Sequence, residues 1–133
     1  MKYFKADINT WGEKINFVDE NNVLVGYDYS GQCCENFGWC IGEKISMNLK
    51  DALFDDSKTD TYIDEQLKGW TFDTEFFKEI QEEESYNDIR FAIFRLVKGD
   101  QERFLHLYNI HNGYYSHGFE FQQDDTTLQK GCL

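Results

Sequence analysis

The clearest pattern in the chain is the alternation of apolar and polar residues in its last third. Residues 88–97, 102–111 and 114–122 are rich in aromatic and β-branched residues and have strand-like periodicity. Gly99-Asp100 separates the first two runs and Asn112-Gly113 the last two, and both dipeptides are typical of two-residue hairpin turns. The pattern predicts a C-terminal three-stranded antiparallel meander.

The two turns also predict which residues face each other across the meander. A two-residue loop at the first turn puts Ile93 opposite His106. The same loop at the second turn puts Tyr108 opposite His117. It also puts Phe119 opposite His106.

Two faces of the meander follow from this register. The face that we expect to form the core holds most of the aromatic and imidazole side chains. Its members are Phe91, Ile93, Phe104, His106, Tyr108, Ile110, Tyr115, His117, Phe119 and Phe121. The other face is apolar enough to need partial cover, which a helix could supply. Its members are Ala92, Phe94, Leu96, Leu105, Leu107, Asn109 and Gly118.

The first third of the chain contains another hairpin signal. Residues 14–19 and 23–28 are short strand-like runs, and the Glu20-Asn21-Asn22 turn between them suits asparagine, which tolerates positive φ. A bend rich in glycine and cysteine follows at residues 30–39. Residues 39–45 are a further strand candidate.

The middle of the chain carries helix signals. Residues 46–68 contain polar residues at positions typical of N-caps, and Gly69 follows as a stop. Residues 70–77 fit either a strand or the start of a helix, and the acidic run 82–84 fits a loop or a helix end. The predicted fold class is therefore α+β, mostly antiparallel β, with one or two short helices.

The composition indicates one aromatic-rich, acidic domain. The chain has 133 residues, 17% of them aromatic, and a formal net charge of −12 from 25 acidic and 13 basic residues. One domain over residues 1–133 can bury a core of its own at this size. Phosphate backbones and anionic membranes attract clustered Lys and Arg, so we expect no direct nucleic-acid backbone binding and no membrane partner. A surface that mimics DNA is an alternative use of the charge.

The N-terminus and the cysteines bear on the cellular compartment. The first residues lack the apolar core of a signal peptide, and no apolar run reaches transmembrane length. The four cysteines are Cys33, Cys34, Cys40 and Cys132, whose crowded spacing is a poor disulfide framework. We therefore expect reduced thiols in a soluble cytoplasmic protein.

Histidine and cysteine supply the candidate metal ligands. In the predicted register His106 and His117 are diagonal neighbours, about 7–8 Å apart at Cα. With Cys34 and Cys40 they could form a zinc or iron site, but the gaps between the cysteines match no compact zinc motif. Two imidazoles packed among aromatic rings and hydrogen-bonded locally explain the same pattern. We therefore expect no metal and no other cofactor.

A thiol hydrolase is a second chemical interpretation. Such an enzyme uses residues of the types of Cys34 and His111, together with Asn109 or Asn112. Nothing in the sequence brings these residues together. The chain also lacks the glycine-rich phosphate loop, the dinucleotide-binding fingerprint and the HExxH and GxSxG motifs.

Two motifs give the chain a family resemblance. One is CCENFGW at residues 33–39, and the other is HNGYYSHGF at residues 111–119. Together with Val25-Gly26-Tyr27-Asp28 they resemble a family of small bacterial and phage proteins that form a domain of unknown function, over roughly residues 15–122. The resemblance implies one compact domain whose two motifs belong together around one pocket. It implies no activity, cofactor or catalytic residue.

These observations favour a cytoplasmic, non-catalytic binding or protein-interaction domain, with an unknown protein or a second copy of the chain as partner. The alternative is a small hydrolase or metal-dependent enzyme with a Cys/His pocket between the two motifs. Its candidate catalytic residues are Cys34, His111 and Asn112. The candidate pocket or binding residues are Cys33, Cys34, Glu35, Trp39, His106, Tyr108, His117 and Phe119. The third interpretation is an acidic decoy that mimics DNA.

Overall fold

The computed structural model of the protein describes residues 1–9, 12–30, 36–84, 87–111 and 116–133. This part of the chain is mostly antiparallel β-structure in two open sheets, with one α-helix and one 3-10 turn. The predicted class, mostly antiparallel β with short helices, is confirmed at this level.

The first sheet has five strands in the order β1-β2-β3-β10-β11, numbered along the chain. They are β1 (Lys2–Asn9), β2 (Gly12–Val18), β3 (Val23–Asp28), β10 (Gly118–Gln123) and β11 (Thr126–Cys132). Asn22, with φ 58°, closes the β2–β3 hairpin as the sequence predicts, because asparagine tolerates positive φ.

The second sheet has the order β5-β4-β9-β8-β6, and β7 also pairs with β8. Its strands are β4 (Asn36–Gly42), β5 (Ala52–Asp55), β6 (Thr71–Phe72), β7 (Lys78–Glu84), β8 (Asn87–Lys98) and β9 (Gln101–His111). Helix α1 (Asp60–Gln66) follows β5, and the Thr59 side chain caps it by accepting a hydrogen bond from the Tyr62 N–H. A 3-10 turn, Leu49–Asp51, precedes β5.

The main core lies between the two sheets. Aromatic rings from both sheets meet there: Phe17 and Trp39 pack edge to face with centroids 5.0 Å apart, and Phe94 and Phe121 do so at 5.1 Å. The buried side chain of Ile63 from α1 also belongs to this core. The high aromatic content of the sequence is therefore used largely to fill the space between the sheets.

A second apolar cluster lies on the outer face of the six-stranded sheet. It contains the buried side chains Phe91, Ile93, Phe104 and Tyr108. The segment 43–51 crosses this face and contributes three partly buried side chains, Ile45, Met47 and Leu49. Both faces of β8 and β9 are therefore apolar.

The predicted meander is right for its first hairpin and wrong for its third strand. β8 and β9 pair through the Gly99-Asp100 turn, with Ile93 opposite His106 as predicted. β10 instead pairs with β3 and β11 in the other sheet, and Phe119 faces Tyr27. The Asn112-Gly113 turn lies outside the described residues.

The two faces of the β8–β9 hairpin are also the reverse of the prediction: the face expected to form the core is the outer face, and the other face lies in the core. Residues such as Phe94 and Leu105, which we expected to need cover, lie in the main core between the sheets. Phe91 and Tyr108, expected in the core, lie on the outer face. Alternation cannot distinguish the two faces when both are apolar.

One prediction in the middle of the chain changes and another is confirmed. The acidic run 82–84 belongs to strand β7 and is neither a loop nor a helix end. The helix signals over 46–68 correspond to two short helical elements, the 3-10 turn and α1, with β5 between them, and α1 ends before Gly69 as expected.

Candidate functional site

Cys40 and His106 are direct neighbours across β4 and β9, on the outer face of the six-stranded sheet. Both are buried beneath the segment 43–51. The backbone N–H of Ser46 donates a hydrogen bond to His106 Nε2 at 3.1 Å, and Nδ1 lies 3.1 Å from the Phe104 carbonyl oxygen. Because Nε2 accepts, Nδ1 carries the proton and donates to that carbonyl, so the imidazole is neutral.

Burial keeps both Cys40 and His106 in their neutral forms, and this makes the pair unreactive. Burial raises the pKa of the Cys40 thiol to about 12, and the carboxylates of Asp55 and Asp56 add to the rise. Burial also lowers the pKa of His106, although hydrogen bonds with the Phe104 and Cys40 backbone partly oppose this. A protonated thiol beside an imidazole that already accepts a backbone N–H is not an activated nucleophile–base pair.

The three candidate metal ligands that the structure describes, Cys40, His106 and His117, do not come together. Cys40 and His106 are adjacent, but His117 immediately precedes β10, a strand of the opposite sheet, so the predicted diagonal pairing of the two histidines is wrong. Cys34 lies outside the described residues. Among the residues described, no three His, Cys, Asp or Glu side chains form a group that could hold a metal ion.

Tyr108 belongs to a polar cluster that sequence reasoning only partly identified. Tyr29, which follows β3, donates its hydroxyl hydrogen to the Asp56 carboxylate. A Cβ on Gly38 would lie 2.7 Å from the Tyr108 hydroxyl and 2.9 Å from Asp56 Oδ2, so glycine is required for both groups to approach β4. Burial, followed by the Asp56 charge, raises the pKa of Tyr108 to about 12. The only sequence signal for this cluster was a glycine between aromatic residues in a strand.

The contacts of His117 explain its burial by packing and hydrogen bonding. Its ring stacks on Phe37 with centroids 4.0 Å apart, and its Nδ1 lies 2.9 Å from the Asp28 carbonyl oxygen. Phe37 comes from the CCENFGW motif and His117 from the HNGYYSHGF motif, so the described parts of the two motifs touch. Trp39 is buried in the main core with no exposed surface, and Phe119 packs there against Phe77.

Four of the predicted site residues lie outside the described residues: Cys33, Cys34, Glu35 and Asn112. The backbone of His111 ends β9 and pairs with Asp88. The predicted meeting of Cys34 with His111 and Asn112 therefore stays a prediction.

An open cleft on the other sheet was missed by sequence reasoning. It has a volume of about 290 Å³ and lies on the outer face of the five-stranded sheet. We call it the outer cleft. Its lining residues are Lys14, Gly26, Asp28, Gly118, Phe119, Glu120, Lys130, Gly131 and Cys132. The sequence signal was a glycine inside each of two strand-like runs, Gly26 and Gly118.

One end of the second apolar cluster is also accessible. Ile80 of β7, Ile89 of β8 and Ile110 of β9 are half-buried, and all three pack against the cluster. The register places Ile89 opposite Ile110, and Ile80 opposite the buried Phe91 one step along the same face. We call Ile80, Ile89 and Ile110 the isoleucine patch.

Comparisons with known proteins leave the family open. No protein-family model, no curated protein and no solved structure matches the chain. The resemblance carried by the two motifs therefore stays a prediction. In the described part of the chain, no helix has both the length and the apolar character needed to span a membrane.

Proposed function

We propose that the protein is a non-catalytic protein-interaction domain and that the isoleucine patch is the centre of its binding surface. The observation that carries the proposal is an aromatic cluster on an outer sheet face that the segment 43–51 covers only in part. Apolar patches that remain accessible beside a packed cluster are typical of binding surfaces.

The chemical state of Cys40 and His106 favours a binding function over a catalytic one. The Cys40 thiol has a pKa of about 12 and lies beneath a covering segment, so it is protonated at neutral pH. His106 uses Nε2 to hold the Ser46 N–H, which leaves that nitrogen unable to take a substrate proton without losing a structural hydrogen bond. These groups therefore stabilise the sheet that presents the patch.

Charge favours a basic protein partner over a second copy of the chain. Each copy carries a formal net charge of −12, so two copies repel each other at long range. Glu82, an exposed residue of β7, lies opposite Ile89 and adds negative charge at the rim of the patch. A partner with an apolar centre and Lys or Arg at its edges complements this surface.

The test is a titration of the full chain with a synthetic amphipathic peptide of leucine and lysine. Binding is measured by the changes in the amide chemical shifts of the protein. We expect saturable shifts that map to β7, β8 and β9. A double variant, Ile80→Thr with Ile110→Thr, removes apolar area while keeping β-branched side chains, and we expect it to weaken binding by about tenfold.

Leu24→Thr is the matched control because Leu24 is a half-buried apolar residue of β3 in the other sheet. It should leave peptide binding unchanged. The proposal is wrong if the peptide causes no saturable shifts, if the shifts map to the five-stranded sheet, or if a leucine–glutamate peptide binds equally well.

We also propose that the domain acts in the cytoplasm. Cys40 and Cys132 are both free thiols, as expected in a reducing compartment. Fractionation of cells that produce the protein tests this, with recovery in the cytoplasmic fraction as the expected result.

A further inference from the structure

We propose that the outer cleft binds a small zwitterion that carries one ammonium and one carboxylate group, of amino-acid or dipeptide size. The cleft lies on the five-stranded sheet, so this site is separate from the isoleucine patch on the other sheet. Its volume of about 290 Å³ is just below the usual range of small-molecule sites, roughly 300–1,000 Å³, which limits the ligand to a small one.

The hollow exists because two glycines lie diagonally across neighbouring strands on the same outer face. Gly26 of β3 pairs with Glu120 of β10, and Gly118 precedes Glu120 by two residues on the same strand. A Cβ on Gly118 would meet only the Gly131 carbonyl oxygen, at 3.9 Å, so the space above this glycine is open. Ordinary side chains at these positions would fill the floor of the cleft.

The register arranges charges of both signs around the hollow. Lys14 pairs with Asp28 across β2 and β3, and Glu120 pairs with Lys130 across β10 and β11. Lys14 extends over Gly26 and forms an ion pair with Glu120. The cleft therefore contains two ammonium groups and two carboxylates, with no formal net charge.

The two lysines are close enough for their charges to interact. Burial lowers the pKa of Lys14, and the positive charge of Lys130 adds to this effect while Asp28 opposes it. Lys130 is exposed, and among the described residues it makes no ion pair. A ligand carboxylate beside Lys130 would relieve the repulsion between the two ammonium groups.

Asp28 offers the complementary position for a ligand ammonium group. One of its carboxylate oxygens accepts a hydrogen bond from the Ser30 N–H, and Asp28 lines the cleft. Both Glu120 oxygens are already used, one by Lys14 and the other by the Gln122 amide at 2.7 Å. Asp28 and Lys130 are therefore the two charged groups best placed to hold the ends of a ligand.

The whole-molecule charge decides between ligand classes. A net anion would be repelled by a protein of formal net charge −12, and a ligand with only a positive charge would leave Lys130 without a partner in the cleft. A net-neutral zwitterion avoids both penalties and still forms an attractive contact at each end.

The test uses the full chain and three matched probes, with amide chemical shifts as the readout. Alanyl-alanine presents both charges, N-acetyl-alanine only the carboxylate, and alanine amide only the ammonium group. We expect alanyl-alanine to shift the amides of Gly26, Gly118 and Glu120 saturably, with a dissociation constant on the order of 1 mM. Each single-charge probe should bind about tenfold more weakly or not at all.

Two variants connect the shifts to the cleft. Lys130→Gln should weaken alanyl-alanine binding by about tenfold, and Gly118→Leu should abolish it by filling the hollow. Lys68→Gln, which removes an exposed lysine next to α1, is the matched control and should have no effect.

The proposal is overturned if alanyl-alanine causes no saturable shift, if the three probes bind equally, or if Lys130→Gln leaves the affinity unchanged. The dispersion of the amide spectrum reports whether each variant is folded. Lys130→Gln changes an exposed side chain, so the test stands even if Gly118→Leu destabilises the fold.

Discussion

At the scale of single residues, the buried polar groups of this protein hold loops and strands in place. His106 anchors the segment 43–51 through Ser46. The Asp19 carboxylate accepts hydrogen bonds from Val23 N at 2.9 Å within its own hairpin and from Phe72 N at 2.8 Å in the other sheet. Such groups are stable inside a protein only when their hydrogen bonds are made, so each one specifies a unique arrangement of its neighbours.

The sequence identified His106 as a notable residue but could not give its role. The decisive partner, Ser46, is distant in the chain, and no periodic pattern connects the two positions. The same holds for Asp56, which meets Tyr29 and Tyr108 only after two sheets have formed. Residue type can be read from the sequence, whereas long-range hydrogen bonds depend on the fold.

The His106 hydrogen bond makes stability depend on pH. The pKa of His106 is lower in the folded protein than its unfolded value near 6.5, so protons bind more readily to the unfolded chain. The His106 contribution is therefore complete above about pH 6.5 and is lost as the pH falls through the folded pKa. His106→Gln keeps an acceptor for the Ser46 N–H but does not titrate.

We expect the stability of the wild-type protein, relative to His106→Gln, to decrease by up to about 1.4 kcal/mol per pH unit below pH 6.5. Urea unfolding at a series of pH values measures this difference. A difference that stays constant from neutral to acidic pH, or that grows in favour of the wild type, would contradict the hydrogen-bonding scheme.

The two described cysteines should differ sharply in reactivity. Cys40 is buried with its pKa raised to about 12, whereas Cys132 is exposed on β11. Brief iodoacetamide treatment of the native protein at about pH 8 should therefore modify Cys132 and leave Cys40 unmodified. Peptide mapping by mass spectrometry separates the two sites. Equal labelling of Cys40 would show that the covering segment 43–51 opens readily.

At the scale of elements, local turn chemistry predicted hairpins well and sheet membership poorly. The Gly99-Asp100 and Glu20-Asn21-Asn22 turns each determine a pairing over a few residues, and both hairpins form. The sheet that β10 joins depends on contacts far away in the chain, because its alternating pattern fits either sheet. β1 and β11 are edge strands of mixed polarity and gave no clear sequence signal.

Strand position should determine how well backbone amides are protected. β9 has a neighbour on each side, β4 and β8, and residues 104–108 are all buried. β11 is an edge strand with mostly exposed residues. We expect the amides of residues 104–108 to exchange with solvent only on global unfolding, and those of β11 that face away from β10 to exchange at least about a hundredfold faster. Comparable exchange in the two strands would contradict the sheet order.

At the scale of the whole molecule, two open sheets share one core and leave two different outer faces. One outer face is apolar and partly covered, and the other is a polar surface with a charged hollow. Composition alone predicted the aromatic core and the acidic surface, but not that the few basic residues include a pair in one cleft. That pairing arises from strand register, which brings Lys14 and Lys130 to the same face.

The net charge should keep the isolated protein monomeric. With −12 per chain, self-association through the isoleucine patch is opposed by repulsion that salt screens. Sedimentation velocity at micromolar concentration and low salt should give the mass of one chain, 15.8 kDa. A stable dimer under these conditions would favour a second copy of the chain as the partner at the patch.

The placement of β10 is the claim on which both proposed surfaces rest. If β10 paired with β9, as the hairpin signal alone predicts, β9 could not pair with both β4 and β8, and the outer cleft would lose its third strand. Backbone nuclear Overhauser effects measure this pairing directly. We predict contacts between Glu120 and Gly26 and between Phe119 and Tyr27. Contacts between His117 and Tyr108, or between Phe119 and His106, would contradict the account.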